Sequence, residues 1–339
     1  MNVAELGDLS TTLVWGAATA YTVALIAYTL DLARLTERAG SAARAARQAV
    51  AVGGAVTAAG GAVAGGRGSA RAGATATLAP VRPAADRSSK ARGIARSTTI
   101  LGLLLQVAAV VLRGIAAGRT PWANMYEFAL VGTMVAVAVL LLVLRKRDLP
   151  FLGVAVTGLT VLALAVALLV FYVQADGVQP ALDSYWLVIH VGVAITAAGV
   201  FTVAFAASVL QLLRSSRERG SAALSRPVWR WLDTVPGPGE LEALSFRLNA
   251  VGFVLWTFTV IAGAIWAEHA WGRYWGWDPK EVWSFVIWVV YAAYLHARTT
   301  RGWAGRRAAW FVLVGYSCVI ANFTLVNLFF AGKHTYSGL

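Results

Sequence analysis

Hydrophobic residues are grouped along this chain into eight long runs that polar segments separate. Most of the runs reach the ~20 residues that a helix needs to cross the ~30 Å hydrocarbon core of a bilayer. A membrane β-barrel would show segments of about ten residues with alternating polarity instead. The pattern predicts an all-α, polytopic integral membrane protein with about eight transmembrane helices. The runs cover residues 13–32, 98–117, 126–144, 150–172, 184–212, 248–267, 283–298 and 307–330.

The basic residues give the predicted helices an orientation. The 339-residue chain is 58% hydrophobic and 13% charged, with a net charge of +13. This charge does not indicate a nucleic-acid partner, because 24 of the 29 Lys and Arg residues lie in alternate loops, as in cytoplasmic loops of membrane proteins. We expect a multi-pass protein of the cytoplasmic (plasma) membrane, embedded in the lipid bilayer with both termini extracytoplasmic. Its cytoplasmic loops are then residues 33–97, 145–149, 213–247 and 298–307.

One predicted cytoplasmic segment differs from the others in length and composition. Residues 39–97 are rich in Ala, Gly, Arg, Ser and Thr and contain no aromatic residue. Such a composition does not support a packed core. We therefore predict a first transmembrane helix over residues 1–38 and a flexible basic cytoplasmic linker over 39–97. A seven-helix membrane domain then covers 98–339 and carries an extracytoplasmic loop at 268–282.

This extracytoplasmic loop and the helix after it are rich in tryptophan. Five tryptophans occur within the eighteen positions that begin at Trp271. An aromatic belt at the membrane interface accounts for one or two per helix end, but not for Trp271, Trp275 and Trp277 with glycines between them. The spacing predicts a stacking platform for a flat ligand. Asp278 is expected to cap the following helix, with Pro279 at the first helical position.

Two of the four histidines are expected at the same face as the tryptophan loop. His190 lies about six residues into the fifth run, and His334 follows the eighth run. Imidazole nitrogens can take both axial positions on haem iron while indole rings cover the macrocycle. The pair therefore predicts a haem site, at which Arg273 and Lys280 are candidates to pair with the propionates.

The other two histidines are expected elsewhere. Thirteen helical residues separate His296 from Trp283, which puts His296 about 20 Å away, near the cytoplasmic end of its helix. It is a candidate for a second ligand site deeper in the membrane. His269 has no obvious partner and is interpreted as a residue at the rim of the loop.

Other classes of site lack the residues that they need. The sequence contains no HExxH motif and no cluster of Cys and His with the spacing of a zinc site. Its one cysteine, Cys318, allows no internal disulfide and no CxxC chemistry. Two alternatives to haem handling stay open at this point. One is a membrane carrier for another flat amphipathic substrate, such as a quinone or a lipid precursor, and the other is a structural assembly subunit.

Three segments of the sequence form a recognisable set: Trp-Gly-x-Tyr-Trp-x-Trp-Asp-Pro-Lys-Glu in the loop 271–281, Tyr-Leu-His-Ala-Arg at 294–298 and Lys-His-Thr-Tyr at 333–336. With these segments the chain resembles the CcsA/ResC family of cytochrome c biogenesis proteins, whose mark is the tryptophan-rich WWD domain. Shorter matches lie at 121–128 and 186–191. The WWD feature also occurs in the CcmC and CcmF branches, but the tail after the last run and the compact eight-span plan favour CcsA.

The resemblance implies a haem-handling and haem-exporting subunit of the membrane cytochrome c synthase complex. His190 and His334 correspond to the two outer histidines that hold haem b iron beside the WWD domain. His296 corresponds to a histidine inside the membrane that works with one from a CcsB/ResB-like (Ccs1) partner. The implied activity presents haem for thioether attachment to the CxxCH motif of an apocytochrome c. The protein is then part of a haem lyase complex rather than an enzyme on its own.

Overall fold

The computed structural model describes residues 2–60, 90–147, 149–175 and 184–334, and these residues form helices joined by short loops. A 3-10 helix at Pro227–Thr234 lies between α5 and α6. In chain order the α-helices are α1 (Val3–Gly60), α2 (Lys90–Ala117), α3 (Met125–Lys146), α4 (Pro150–Leu169), α5 (Tyr185–Glu218), α6 (Pro238–Trp271), α7 (Pro279–Thr300), α8 (Arg306–Phe323) and α9 (Leu325–Phe329).

Seven helices in the described part of the chain are long and apolar enough to cross a membrane, with α8 and α9 counted as one. This confirms the all-α, polytopic membrane fold. The seventh expected span, residues 283–298, coincides with α7, which has 22 residues but is not among the seven. Its tyrosines, tryptophans and charged first turn make it more polar than the other spans. The number of eight crossings and the outward orientation of the termini stay predictions.

Several helices extend beyond the apolar runs that predict them. The first helix continues to Gly60, so the predicted linker over 39–97 begins as helix, and it ends as helix from Lys90 onward. Alanine and arginine have high helix propensity, which explains why a segment without a hydrophobic face is helical. The part of the linker at residues 61–89 lies outside the described residues, and its flexibility stays a prediction.

Helix α5 is the centre of the bundle, because it packs against α3, α4, α6 and α8. The longest shared contact is with α6, which runs back along α5 after the 3-10 helix. On the other side, α1 packs along α2 and α4, and Gly102 of α2 gives the ring of Tyr21 room that a Cβ atom would fill. This arrangement brings the start of α5 and the end of α6 to the same end of the bundle.

Candidate functional site

The pairing of α5 with α6 fixes the position of His190. The His190 side chain is one to two turns into α5, which Ser184 caps through a hydrogen bond from the amide of Trp186. His190 Nδ1 lies 2.9 Å from the backbone oxygen of Thr259 on α6. A carbonyl oxygen only accepts, so Nδ1 carries the proton and the lone pair is on Nε2. This is the tautomer that a histidine needs to bind a metal through Nε2.

Two further residues of α6 shape the surroundings of this ring. Gly263 is one turn after Thr259, and a Cβ atom there would lie 2.6 Å from His190 Cε1. Trp266 is almost one turn further and is 1% exposed. Its indole is nearly parallel to the imidazole of His190, with 6.1 Å between the ring centres. Thr259, Gly263 and Trp266 share one helix face because they are spaced by about one turn each.

Replacing Gly263 by Ala is expected to shift the His190 ring, since the new methyl group would meet it at 2.6 Å. We expect ligand affinity at this histidine to fall by roughly fivefold or more, because overpacking typically costs ~1–3 kcal/mol. Titration of the purified variant with haem measures the effect. Gly132→Ala is the matched control, because its Cβ would meet Ile195 at an ordinary 3.9 Å. Equal affinities in the two variants would contradict the close fit.

The tryptophan loop is a short, tightly held connection between α6 and α7. Gly272 ends α6 in the left-handed conformation with φ 70°, which favours glycine. Asp278 caps the start of α7 and Pro279 is at the first position, as the sequence predicts, and Glu281 completes a capping box that the sequence analysis did not predict. Glu281 Oε2 also accepts from the amide of Gly276 at 2.7 Å. Because it also accepts from the amide of Asp278, the Glu281 carboxylate bonds to the backbone on both sides of Trp277.

The same Asp278 carboxylate positions His334 on the tail after α9. His334 Nδ1 lies 2.8 Å from Asp278 Oδ1, and the amide of Lys333 donates to Oδ2 at 2.6 Å. Burial raises the pKa of Asp278, but these hydrogen bonds and the nearby His334 outweigh it and lower the pKa to about 2. The ionised carboxylate accepts from Nδ1 and leaves the lone pair of His334 on Nε2. A carboxylate that orients a histidine in this way is typical of metal sites.

Trp266 lies next to both histidines. Its ring centre is 5.5 Å from that of His334, and the two rings meet edge to face. Trp271 packs edge-on against His334 and Trp266, with 4.8 Å between the ring centres in each pair. The side chains of His190 and His334, 144 positions apart in the sequence, line one cavity of about 180 Å³, which we call the histidine cavity.

A buried ion-pair cluster holds the opposite wall of the histidine cavity. Glu127 of α3 is fully buried and pairs with Arg113 of α2 at 3.0 Å and with Arg119 at 2.6 Å. It also accepts from the amide of Ala123 at 2.9 Å. These bonds fix the loop between α2 and α3, which places Trp122 in the cavity wall. Such a network is costly to break, because it would leave buried charge without a partner.

Several polar atoms in the wall of the histidine cavity have no hydrogen-bond partner in the described part of the chain. They are the indole nitrogens of Trp122 and Trp266 and one carboxylate oxygen of Glu281. Buried polar groups are normally satisfied, so groups of this kind indicate an interaction with a ligand or with ordered water. Lys280 also lines this cavity and adds a positive charge. The site can thus accept a ligand that is largely apolar and carries a few polar groups.

The structure separates the predicted site residues into three groups. His190, His334, Trp275 and Lys280 line the histidine cavity. Asp278 and Trp271 support it from behind, through the contacts with His334. The remaining predicted residues lie outside the wall. The Arg273 guanidinium lies against Gly276, and Trp277 is 77% exposed. His296 is exposed on α7, about 24 Å along the helix from Lys280.

His269 is also outside the histidine cavity. It is exposed, its Nδ1 is 2.8 Å from the oxygen of Ile265, and Glu268 is 3.3 Å away. This agrees with its interpretation as a rim residue.

The sequence reasoning missed several aromatic residues that line the histidine cavity, among them Trp266 and Trp122. Trp266 lies in an apolar run, where a tryptophan near a helix end is explained by the membrane interface. Its position on the helix could have identified it. Thr259, Gly263 and Trp266 are spaced by about one turn each, so they lie on one face of the helix that leads into the tryptophan loop. Trp122 lies in a short segment that carries the family resemblance, but its place in the cavity wall beside Gly192 of α5 depends on the packing of α3 against α5.

The fold and the site define a polytopic α-helical membrane protein with a ligand cavity between two oriented histidines. The family model for the cytochrome C assembly protein matches residues 122–334. The chain therefore belongs to this family of cytochrome c biogenesis proteins. The match begins at Trp122 and ends at His334, so it contains both walls of the histidine cavity.

Relatives named cytochrome c biogenesis protein CcsA cover most of the chain. The one from Synechococcus sp. is 36% identical over 266 residues, which are 72% of this chain and 86% of the relative. The one from Parasynechococcus marenigrum is 36% identical over 269 residues, or 74% of this chain and 88% of the relative. Among solved structures, the cytochrome c haem lyase CcmF has a similar fold, with a TM-score of 0.60 at 15% identity. That match covers 96% of this chain and 47% of CcmF.

Proposed function

We propose that this protein is the haem-handling subunit of a membrane cytochrome c synthase complex and that haem b binds in the histidine cavity. The observation that carries the proposal is the pair of histidines on one cavity. Hydrogen bonds at Nδ1 orient His190 and His334 so that Nε2 of each carries a lone pair. Neutral imidazole nitrogens of this kind are the usual axial ligands of low-spin haem iron. The family supports haem as the cargo.

The other walls of the histidine cavity suit the rest of the haem molecule. Trp122, Trp266 and Trp275 offer flat apolar surface to the macrocycle, while Lys280 offers a cation to a propionate. The predicted pairing of a propionate with Arg273 is not part of the proposal, since the guanidinium lies outside the cavity wall. The protein supplies orientation and ligands, and the haem and the thiols of the acceptor supply the chemistry.

The size of the histidine cavity supports presentation of haem rather than its storage. Pockets that enclose drug-sized ligands usually measure ~300–1,000 Å³, whereas this one measures about 180 Å³. We infer that part of the haem projects from it on the side of the exposed Trp277 and Tyr274. A projecting edge is what thioether attachment to the CxxCH motif of an apocytochrome c requires. On this proposal the loop lies on the extracytoplasmic side of the plasma membrane.

A second haem position at His296 would need a ligand from another chain. His296 is exposed on α7. It is near Arg298, which pairs with Glu242 at 2.7 Å and marks the basic end of the bundle. The other three histidines of the sequence, His190, His269 and His334, lie at the opposite end of the bundle. A CcsB/ResB-like membrane partner that contributes a histidine would complete this site.

The absorption spectrum of the protein, purified in mild detergent with and without the co-expressed partner, tests the proposed function. We expect a low-spin haem spectrum after reduction with dithionite in both preparations. The partner should add a second haem fraction, and His296→Ala should remove that added fraction only. If neither preparation contained haem, the proposal would fail and a carrier of another flat amphipathic substrate would take its place.

A further inference from the structure

A second, larger cavity lies at the end of the bundle opposite to the histidine cavity. It measures about 740 Å³, and α1, α4, α5 and the 3-10 helix form its walls; we call it the basic-end cavity. Two segments show which end this is. Phe151 in its wall follows the basic sequence Arg145–Arg147, and Leu213 in its wall precedes Arg214 and Arg217.

The wall of the basic-end cavity is almost entirely hydrocarbon. It includes Leu32, Phe151, Phe205 and Leu210. Two threonines line it as well, but their hydroxyls are already used: Thr29 Oγ1 donates to Leu25 O at 2.8 Å, and Thr36 Oγ1 donates to Leu32 O at 2.9 Å. Water is not held stably in a cavity without polar partners. In a membrane protein, an apolar cavity of this size is expected to hold a hydrocarbon chain.

The depth and the opening of the basic-end cavity fit such a chain. Leu213 and Phe205 both line it and are eight residues apart on α5, which gives a depth of about 12 Å along the helix. Val228 lines the mouth and is 73% exposed, so the cavity opens at the surface beside the 3-10 helix. Trp231 is also in the wall, and tryptophan is enriched at the level of lipid headgroups.

The 3-10 helix at the mouth is fixed in place and leaves two arginines for a ligand. Asp233 pairs with Arg217 at 2.7 Å and with Arg214 at 3.2 Å, which holds the segment on the end of α5. Arg226 and Arg230 are exposed neighbours of the lining residues Pro227 and Trp231, and in the described part of the chain neither forms an ion pair. The mouth is therefore positive, while the interior is apolar.

We propose that the basic-end cavity binds an anionic phospholipid, with an acyl chain between α1, α4 and α5 and the headgroup phosphate at Arg226 and Arg230. The assignment rests on the match between the cavity and an amphipathic ligand. The apolar interior complements an acyl chain, and the positive mouth complements a negatively charged headgroup. The lipid fills the space between α1 and the α4–α5 pair, so it stabilises the docking of the first helix on the rest of the bundle.

Native mass spectrometry of the whole protein, exchanged into micelles with phosphatidylglycerol or phosphatidylcholine, tests this proposal. We expect one phosphatidylglycerol to be retained selectively. Arg226→Gln with Arg230→Gln should lower its retention at least fivefold, since each cation near the headgroups adds attraction. Val209→Phe, which fills the cavity, should abolish retention of either lipid. Arg301→Gln, at the same end of the bundle, and Val251→Phe, on an exposed face of α6, are the matched controls.

Haem content reports whether each variant is folded, because the histidine cavity is at the other end of the bundle. Equal retention of the two lipids, or unchanged retention in the Val209→Phe variant with normal haem, would overturn the proposal. So would a protein segment bound in the cavity in place of lipid. Ala155→Phe fills the same cavity from α4 and is measured in parallel, and unchanged retention of phosphatidylglycerol in this variant overturns the proposal as well.

Discussion

Replacing His190 and His334 together by alanine should remove nearly all haem from the protein purified without its partner. Each single replacement is expected to lower haem affinity by more than about tenfold, because even the loss of a group that only supports a metal ligand typically costs 10–100-fold. Haem is quantified from the absorption spectrum of the reduced protein. Imidazole added to the medium should restore part of the low-spin spectrum in the single variants, since it can occupy the vacated axial position.

His269→Ala is the control for this experiment. It removes a histidine near the same loop, but that side chain is exposed and lies outside the histidine cavity. We expect its haem content to match that of the unmodified protein. If the double variant kept its haem and its spectrum, the assignment of His190 and His334 as axial ligands would be wrong.

Replacing Asp278 by alanine should weaken haem binding by about 10–100-fold, the range for groups that orient a metal-binding histidine. The carboxylate fixes the tautomer of His334 through the 2.8 Å contact with Nδ1, and it binds the tail through the amide of Lys333. It also caps α7, and loss of a cap costs about 1 kcal/mol of stability. Haem titration measures the first effect, and thermal unfolding measures the second.

Asp278→Ser separates the two roles of this residue. Serine is a good N-cap, so the variant should recover thermal stability. Its short neutral side chain cannot hold His334 as the carboxylate does, so haem binding should stay weak. Glu268→Gln, beside the exposed His269, is the control for loss of a carboxylate near a histidine. Normal haem affinity in the serine variant would show that Asp278 acts only as a helix cap.

Much of the local structure at the site follows from short stretches of sequence. Asp278 and Pro279 predict the start of α7, because a carboxylate acceptor and a preset φ angle both favour that position. The end of α6 at Gly272 follows from the freedom of glycine to adopt positive φ. The backbone conformation of Trp277 does not follow from the sequence, because its φ of 59° is rare outside glycine. The amides of Gly276 and Asp278, on either side of it, donate to Glu281 and hold this turn.

The membrane class, the family and the candidate histidines can all be read from the order of residues, because hydrophobic run length, charge placement and a dense local motif are properties of neighbouring residues. Which of the candidates share a cavity depends on how distant helices pack. His190 and His334 meet around Trp266 because α5 packs along α6 and Asp278 holds the tail, while Arg273 points elsewhere. The basic-end cavity likewise depends on gaps between helices that are distant in the chain. A hydrophobic pattern predicts which residues are buried, but it does not predict how their side chains pack or where a gap remains.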